Sequence, residues 1–373
     1  MENMEMMNAV LADPFAYARK LQKDTGRKII GYMCSYAPEE IIFAAGAHPL
    51  RLFSSGRNIL AADGHLQSYC CSLVRGVLEN ALTGNYDFLD GMIFPHTCDS
   101  VQRLSDIWRL NIPHGFHCDV VLPVKLDTVS ARQYMQDVLR LFCADLEKTL
   151  QVKISVSGLR QSIALFNEIR TALQKLYALK NNYPEMISGK DLYTILKAAA
   201  VMERNDYLKN LQALIKEFSG TTVRIDKPVS RRLLLTGGVC SHPDVYTMIE
   251  EAGGTVVDDD LCTGARYFSG IIADTSDPIA ALADRYCARA ICPAKHQASN
   301  TRAENILQKV KAGNVAGVIF LLLKFCDPHA FDYPYLKAAL DKAGIPNILI
   351  EIEDQLLAQG QTKTRIEAFL ENL

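Results

Sequence analysis

The 373-residue sequence has no excess of charge of either sign. Its 40 Lys and Arg residues nearly balance its 42 Asp and Glu residues, which leaves a formal net charge of −2. Such a balance gives no long-range field that would attract nucleic acid or an acidic membrane surface. The longest strictly apolar runs, such as residues 318–323, are far shorter than the ~20 residues that span a bilayer. We therefore expect neither nucleic-acid nor membrane partners.

Two common nucleotide-binding signatures are also missing. No G-x-x-x-x-G-K-[ST] sequence occurs, because Gly189-Lys190 is followed by Asp191 and Pro184 stands where the first glycine should be. No G-x-G-x-x-G follows any predicted strand. This route to ATP hydrolysis and a dinucleotide fingerprint are thus both excluded. The N-terminus carries Glu2 and Glu5 and lacks a basic region, so we expect no signal peptide and a cytoplasmic location.

Cysteine, in contrast, is abundant. The chain has eleven cysteines, an odd number, and apolar residues make up 49% of an otherwise ordinary globular composition. Because the cytosol keeps thiols reduced, a disulfide scaffold is not expected. Surplus cytosolic cysteines are either small buried hydrophobic residues or metal ligands.

Two patterns occur twice along the chain. Residues 28–46 and 231–254 share a basic residue, an apolar strand, a Cys-Ser pair and an amphipathic helix. Residues 91–110 and 317–343 share a strand, a Cys-Asp loop and a helix. Alternation of strands and helices indicates parallel sheets. The repetition predicts an α/β protein with two Rossmann- or flavodoxin-like parallel-sheet domains related by duplication.

A helical segment separates the two halves. From Leu159 to Leu176, apolar residues recur every three or four positions, as on one face of a helix. Further helical patterns follow from Ser188 and from Asn205. We therefore divide the chain into an N-terminal α/β domain (1–150), a helical middle segment (151–221) and a C-terminal α/β domain (222–373).

Four cysteines follow predicted strands directly. Ligands of parallel α/β sheets bind beyond the carboxyl ends of the strands, and these four residues lie at that edge: Cys34, Cys98, Cys240 and Cys326. Cys71 comes just before a predicted helix, where a thiolate is favoured electrostatically. We select Cys71 over its neighbour Cys70, because adjacent side chains on an extended segment point in opposite directions.

The other cysteines are weaker candidates for metal ligands. Cys118 and Cys143 are expected to be structural. The spacing Cys287-x4-Cys292-x3-His296 lacks the second knuckle of a zinc site. Iron–sulfur clusters accept widely separated thiolates, so a cluster between the two halves could use Cys71, Cys98 and Cys326. Three thiolates would leave one iron open to another ligand.

These residues resemble the 2-hydroxyacyl-CoA dehydratase and benzoyl-CoA reductase family over nearly the whole chain. Five motifs occur in the family's order: GYMCSYAPEE at 31–40, HTCD at 96–99, DDDLCTGARYF at 258–268, KFCDPH at 324–329 and GQTKTRIEAF at 360–369. The fourth motif, together with the length of the chain, is most similar to the beta subunit, or D-component.

The resemblance implies a reaction and its partners. It implies a 4Fe–4S cluster held by Cys71, Cys98 and Cys326, in a lyase subunit that removes water from an (R)-2-hydroxyacyl-CoA. The electron would come from an ATP-dependent iron–sulfur activator, enter the thioester as a ketyl radical and be recycled, giving an enoyl-CoA. The implied partner is a homologous dehydratase subunit in a heterodimer, or a second copy of the chain. In the reductase branch the same electron reduces an aromatic ring.

The resemblance also implies roles for other residues. Ser35 matches a position near the cluster, where it could bind a thioester oxygen or a cluster ligand, or cap the helix that starts near Pro38. Glu39 and Glu40 are expected to be solvated or cap-adjacent acids rather than bases. His96 and His329 could tune the cluster potential. Arg266 and Arg365 could bind CoA phosphates, although structural ion pairs are favoured.

Further cysteines leave alternatives open. A related branch of the family contains a double-cubane cluster and uses more cysteines in each chain. Additional ligands would then come from Cys34, Cys240, Cys262 or Cys292. An electron-transfer protein without its own acyl-CoA site is the alternative to a dehydratase or reductase subunit.

Overall fold

The structure, a computed structural model, describes residues 2–54, 58–112, 115–220, 231–241, 244–289, 292–297, 301–353 and 359–373. It contains two four-stranded sheets within these ranges, and every strand pair in them is parallel. The first sheet comprises β1 (Ile29–Tyr32), β2 (His48–Arg51), β3 (Gly91–Pro95) and β4 (Phe116–Val120). The second comprises β5 (Arg232–Gly237), β6 (Thr255–Asp260), β7 (Gly317–Leu323) and β8 (Asn347–Ile352).

The two sheets have the same strand order. It is β2-β1-β3-β4 in the first sheet and β6-β5-β7-β8 in the second. In a flavodoxin-like sheet, strands are added first to one side of the first strand and then to the other. Ligands bind at the switch point, which lies between the first and third strands. The switch points here lie between β1 and β3 and between β5 and β7. The predicted fold class, with two parallel α/β sheets, is confirmed.

Helices precede, connect and follow the strands of both sheets. Those of the N-terminal part are α1 (Glu2–Ala12), α2 (Pro14–Thr25), α3 (Glu39–Ala44), α4 (Ser72–Leu82), α5 (Asp99–Asn111) and α6 (Val129–Leu150). Those of the middle segment are α7 (Val156–Asn182), α8 (Gly189–Val201) and α9 (Arg204–Gly220). Those of the C-terminal part are α10 (Asp244–Glu251), α11 (Ala265–Phe268), α12 (Pro278–Ala288), α13 (Thr301–Ala312), α14 (Asp327–Lys342) and α15 (Gln359–Glu371).

Polar caps fix several helix starts. The Asp13 carboxylate accepts the backbone N–H of Ala16 at 2.9 Å and caps α2, whose first residue is Pro14. Thr128 and Ser155 cap α6 and α7 in the same way. A side-chain oxygen that takes up an otherwise unpaired N–H stabilises a helix start by about 1 kcal/mol. No helix of the described residues is long and apolar enough to cross a membrane.

The middle segment connects the two halves. Leu159 and Ile163 near the start of α7 are buried with residues of the first sheet, whereas Leu173 and Leu176 belong to a core that also contains residues of the second sheet. The hydroxyl of Tyr177 on α7 donates to Asp259 on β6. This helix therefore fixes how the two sheets face each other. The predicted boundary at residues 221 and 222 lies outside the described residues.

Helix α12 follows the second sheet's β6 in sequence but packs on the first half. Its residues Leu282 and Tyr286 are buried in one apolar cluster with Ile30 and Tyr32 of β1. The Tyr286 hydroxyl donates to the Ala37 carbonyl at 2.8 Å. The C-terminal part of the chain thus holds the loop that follows β1.

Candidate metal centre

The three predicted ligand cysteines are the N-cap residues of three helices. Cys71 precedes α4, Cys98 precedes α5 and Cys326 precedes α14. Cys98 also follows β3, and Cys326 follows β7, so both lie at switch points. Backbone N–H groups of Ser100 and Val101 donate toward the Cys98 sulfur, and that of His329 donates toward Cys326. Helix N-termini of this kind stabilise negative charge on sulfur.

These three thiols lie close enough to perturb one another. Burial, together with the neighbouring Cys71, raises the pKa of Cys98 to about 12. Burial also raises the pKa of Cys326, with additional effects from Cys71 and Cys98. Because electrostatic effects decline with distance, Cys71, Cys98 and Cys326 form one group. We call it the helix-terminus thiols.

Three further thiols form a second group next to the first. The Cys262 and Cys292 thiols share a hydrogen bond, which lowers the pKa of Cys262 and raises that of Cys292. Cys34 lies within electrostatic range of Cys292 and of Cys98, and the Thr97 hydroxyl donates to the Cys34 sulfur at 3.6 Å. We call Cys34, Cys262 and Cys292 the loop thiols. Sequence reasoning left them open as additional ligands.

The remaining five cysteines belong to neither group of thiols. Cys70 contacts Gln67, and Cys118 is buried in β4. Cys143 is half-buried against the apolar cluster that contains Ile30 and Tyr32. Cys287 lies on α12 near Asp284 and Arg132. Cys240 is buried beside a small cavity between the halves, which Arg51 and Tyr246 also line.

Ser35, the predicted catalytic residue, is held by an arginine. Its carbonyl accepts from Nη1 of Arg289 at 2.8 Å, and its hydroxyl accepts from Nη2 at 3.2 Å. The residue is buried beside Cys34. It does not cap α3, because the N-cap of that helix is Pro38. The structure thus places Ser35 at the thiol site and leaves its catalytic role a prediction.

Glu39 and Glu40 lie in the first turn of α3, as the cap-adjacent alternative predicts, but neither is solvated. Glu39 is buried and accepts from Nη2 of Arg204 at 2.8 Å and from the Tyr32 hydroxyl at 2.6 Å. Glu40 is buried in an ion pair with Arg170. The available signal was the position of Arg170, which shares the apolar face of α7. A charged side chain there requires a buried partner.

The histidines and arginines next to the motifs have distinct partners. Nε2 of His96 lies 2.8 Å from Asp119, whereas the buried His329 lies beside Cys262 and Arg266. Arg266 is buried and pairs with Asp260 at 3.1 Å, which confirms the structural interpretation of this residue. The exposed Arg365 donates to the Leu349 carbonyl.

The donor chemistry of the site fits an anionic, thiolate-bound cluster. It combines gathered thiols, N–H groups at helix starts and buried cations, all of which favour negative charge. Among the described residues, no three His, Cys, Asp or Glu side chains are spaced for a single metal ion. A cubane distributes its iron atoms over several positions, so its thiolates lie farther apart than the ligands of one ion.

Known proteins resemble the chain over most of its length. Residues 34–373 match the model of the 2-hydroxyglutaryl-CoA dehydratase D-component family. The chain is 28% identical over 365 residues to the (R)-phenyllactyl-CoA dehydratase beta subunit of Clostridium sporogenes, covering 98% of this chain and 96% of that protein. It is 27% identical to the beta subunit of (R)-2-hydroxyglutaryl-CoA dehydratase from Acidaminococcus fermentans, covering 99% and 98% of the two chains. It is 29% identical to a subunit of benzoyl-CoA reductase from Thauera aromatica, covering 90% and 88%.

Proposed function

The chain belongs to the 2-hydroxyglutaryl-CoA dehydratase D-component family, and from this we propose that it is the iron–sulfur subunit of a radical 2-hydroxyacyl-CoA dehydratase. In this proposal Cys71, Cys98 and Cys326 hold a 4Fe–4S cluster. The enzyme removes water from an (R)-2-hydroxyacyl-CoA by way of a ketyl radical and forms an enoyl-CoA.

The observation that carries the proposal is the meeting of three helix N-termini at one group of thiols. Cys98 and Cys326 come from switch points of different sheets, and Cys71 is contributed by a third helix. The cluster, when bound, supplies a low-potential one-electron transfer. The chain's own residues bury the thiols, direct N–H groups at the sulfurs and exclude water. In this proposal Ser35 binds a thioester oxygen or a further cluster ligand.

The partners follow from the same proposal. Several relatives are named as beta subunits, which supports a homologous partner subunit for this chain, with a second copy of itself as the alternative. An ATP-dependent iron–sulfur activator supplies the electron, and an acyl-CoA is the substrate. We place the assembly in the cytoplasm, with the division into residues 1–150, 151–221 and 222–373 as its domain organisation.

Anaerobic purification with iron and sulfide analysis tests the cluster. A single cubane gives about four iron atoms per chain. Cys98→Ser and Cys326→Ser should each lose iron, whereas Cys143→Ser, a half-buried cysteine outside the site, should keep it. Iron-free wild-type protein after anaerobic expression, or equal iron in all four proteins, would contradict the proposal.

A second candidate is favoured by the loop thiols. Six cysteines in two adjacent groups match the requirement of a double-cubane cluster, in an electron-transfer or reductase protein without its own acyl-CoA site. About eight iron atoms per chain, lost in part on Cys262→Ser or Cys292→Ser, would support it. Acyl-CoA should then leave the cluster's spectrum unchanged. Reduction of an aromatic acyl-CoA would instead indicate the reductase branch, to which the Thauera relative belongs by name.

A further inference from the structure

Arg289 and Lys295 are buried cations next to the thiols, and within the described residues neither has a carboxylate partner. Arg289 is 4% exposed and Lys295 is 3% exposed. Arg289 donates to the carbonyl and hydroxyl of Ser35, and Lys295 donates to the carbonyls of His96 and Leu122, both at 3.3 Å. Within the described ranges neither cation forms an ion pair with Asp or Glu. Burial of a charge without a counter-charge is costly.

Other buried cations among the described residues are of two kinds. Arg170, Arg204 and Arg266 each contact a buried carboxylate, on Glu40, Glu39 and Asp260 respectively. Arg51, Lys180 and Arg285 are buried as well, and they donate to backbone carbonyls instead. Arg289 and Lys295 resemble this second kind, but they also lie beside cysteines, whose thiolates carry negative charge when they bind iron.

Thiols are among the ionisable groups next to both cations. Cys34, Cys292 and Cys98 are the ionisable groups that act on Lys295. The Arg289 guanidinium lies 3.8 Å from the centre of the Tyr36 ring, and Cys34 is again among its neighbours. Both cations thus face the side of the site where the loop thiols meet Cys98.

We propose that Arg289 and Lys295 are positioning residues that compensate the charge of the anionic thiolate-bound centre and stabilise its reduced state. The inference rests on the proposed function, because it requires a bound cluster. A one-electron reduction makes no bond and breaks none, and it adds one negative charge to the centre. The donor is the activator in the enzyme or dithionite in the experiment. A fixed positive charge nearby favours that step, so each cation should raise the reduction potential.

The test is a redox titration of the anaerobic, iron-loaded protein with dithionite, monitored by electron paramagnetic resonance. Arg289→Gln and Lys295→Gln should each make reduction at least tenfold less favourable, which is a shift of 59 mV to lower potential for a one-electron couple. The charge-retaining variants Arg289→Lys and Lys295→Arg should restore most of the potential. Lys153→Gln is the matched control, since the Lys153 side chain is 85% exposed and pairs with Glu147.

The outcomes distinguish failure of the proposed function from failure of this inference. Absence of iron from the wild type rejects the proposed function. An unchanged potential in both fully loaded glutamine variants rejects this inference and leaves the proposed function intact. If a glutamine variant does not retain iron, the iron content of its charge-retaining counterpart distinguishes charge compensation from a purely structural role. Retained iron in the counterpart supports charge compensation, and equal loss in both shows a purely structural role and overturns the inference.

Discussion

Nη2 of Arg266 lies 3.0 Å from the sulfur of Cys262, while Nη1 of the same guanidinium binds Asp260 at 3.1 Å. Nη2 also donates to the Gly237 carbonyl. One side chain therefore joins the carboxyl ends of β5 and β6 to the loop that carries Cys262. A planar guanidinium with five donors allows this arrangement, and the ammonium of lysine does not.

Replacement of Arg266 by methionine should lower the free energy of unfolding by about 3 kcal/mol, because it breaks a buried ion pair. The loss should stay near the lower end of the range for such pairs, since Arg302 also contacts Asp260. Urea denaturation of the iron-free protein measures the effect. The control is Arg109→Met, which breaks the exposed pair with Asp106 and should cost less than about 1 kcal/mol. Equal losses in the two variants would show that Arg266 does not organise this region.

Local sequence patterns predicted the strands and their ends well. The apolar run that starts near Lys28 and the Cys-Asp loops at Cys98 and Cys326 mark where chain direction and polarity change, and these features are local. The matching strand orders of the two sheets follow from the repeated patterns. The helix-terminus thiols were therefore within reach of sequence reasoning.

Contacts between distant segments were not predicted. Nothing near Glu39 indicates that Arg204 approaches it from the middle segment, because the pairing depends on how α9 packs. Likewise, the attachment of Ser35 to Arg289 requires α12 to lie on the first half of the molecule. Periodicity reports which face of a helix is buried but not which partner buries it. For the same reason, the sequence does not show that Arg289 and Lys295 lie next to the thiols.

The stability of the protein should fall in acid because of His48. This side chain is fully buried, and its Nε2 lies 2.9 Å from the Val201 carbonyl. Burial, with a contribution from the nearby Arg204 charge, lowers the pKa of His48 to about 3. The unfolded state binds a proton below pH 6.5 and the native state does not, so stability is lost as the pH falls from 6.5 toward 3. This residue alone should remove about 2 kcal/mol between pH 7 and pH 5.

Urea denaturation of wild type and His48→Gln at both pH values isolates this contribution. Glutamine retains an N–H donor for the Val201 carbonyl but does not titrate, so its stability should depend less on pH. His65→Gln is the control, because His65 is exposed and should leave the pH dependence as in the wild type. An identical pH dependence in wild type and His48→Gln would show that His48 is not the group responsible.

Gly264, in the turn after Cys262, should not accept a larger side chain. A Cβ at this position would lie 2.1 Å from Oδ1 of Asp259. That oxygen accepts the backbone N–H groups of Leu261 and Ala265, at 3.1 and 2.7 Å, and so fixes the turn. Gly264→Ala should displace the carboxylate and lower the free energy of unfolding by about 1–3 kcal/mol.

The matched variant for this test is Gly360→Ala. Gly360 lies on α15, and outside its own helix turn no atom of the described residues lies within 4 Å of an added Cβ. Alanine there should leave stability unchanged or raise it by up to about 1 kcal/mol, because alanine favours helix. Thermal unfolding of the two variants beside the wild type gives the comparison. A Gly264→Ala protein as stable as Gly360→Ala would mean that Asp259 does not fix the turn.

Phe325, the residue before Cys326, has a left-handed backbone conformation with φ of 63°. This conformation costs about 1–2 kcal/mol for a residue with a Cβ and nothing for glycine. Its ring is 43% exposed. Phe325→Gly and Phe325→Ala both remove the ring, so their difference reports the backbone alone. The glycine variant should be the more stable by about 1 kcal/mol.

At Phe331, which is exposed on α14, the order should reverse, because glycine disfavours helix by about 1 kcal/mol relative to alanine. Urea denaturation of the four variants measures both differences. The same order at both positions would show that the backbone at Phe325 carries no strain, whereas the expected reversal would locate strain directly beside a proposed cluster ligand, where a folded chain retains it only if the surrounding contacts enforce it.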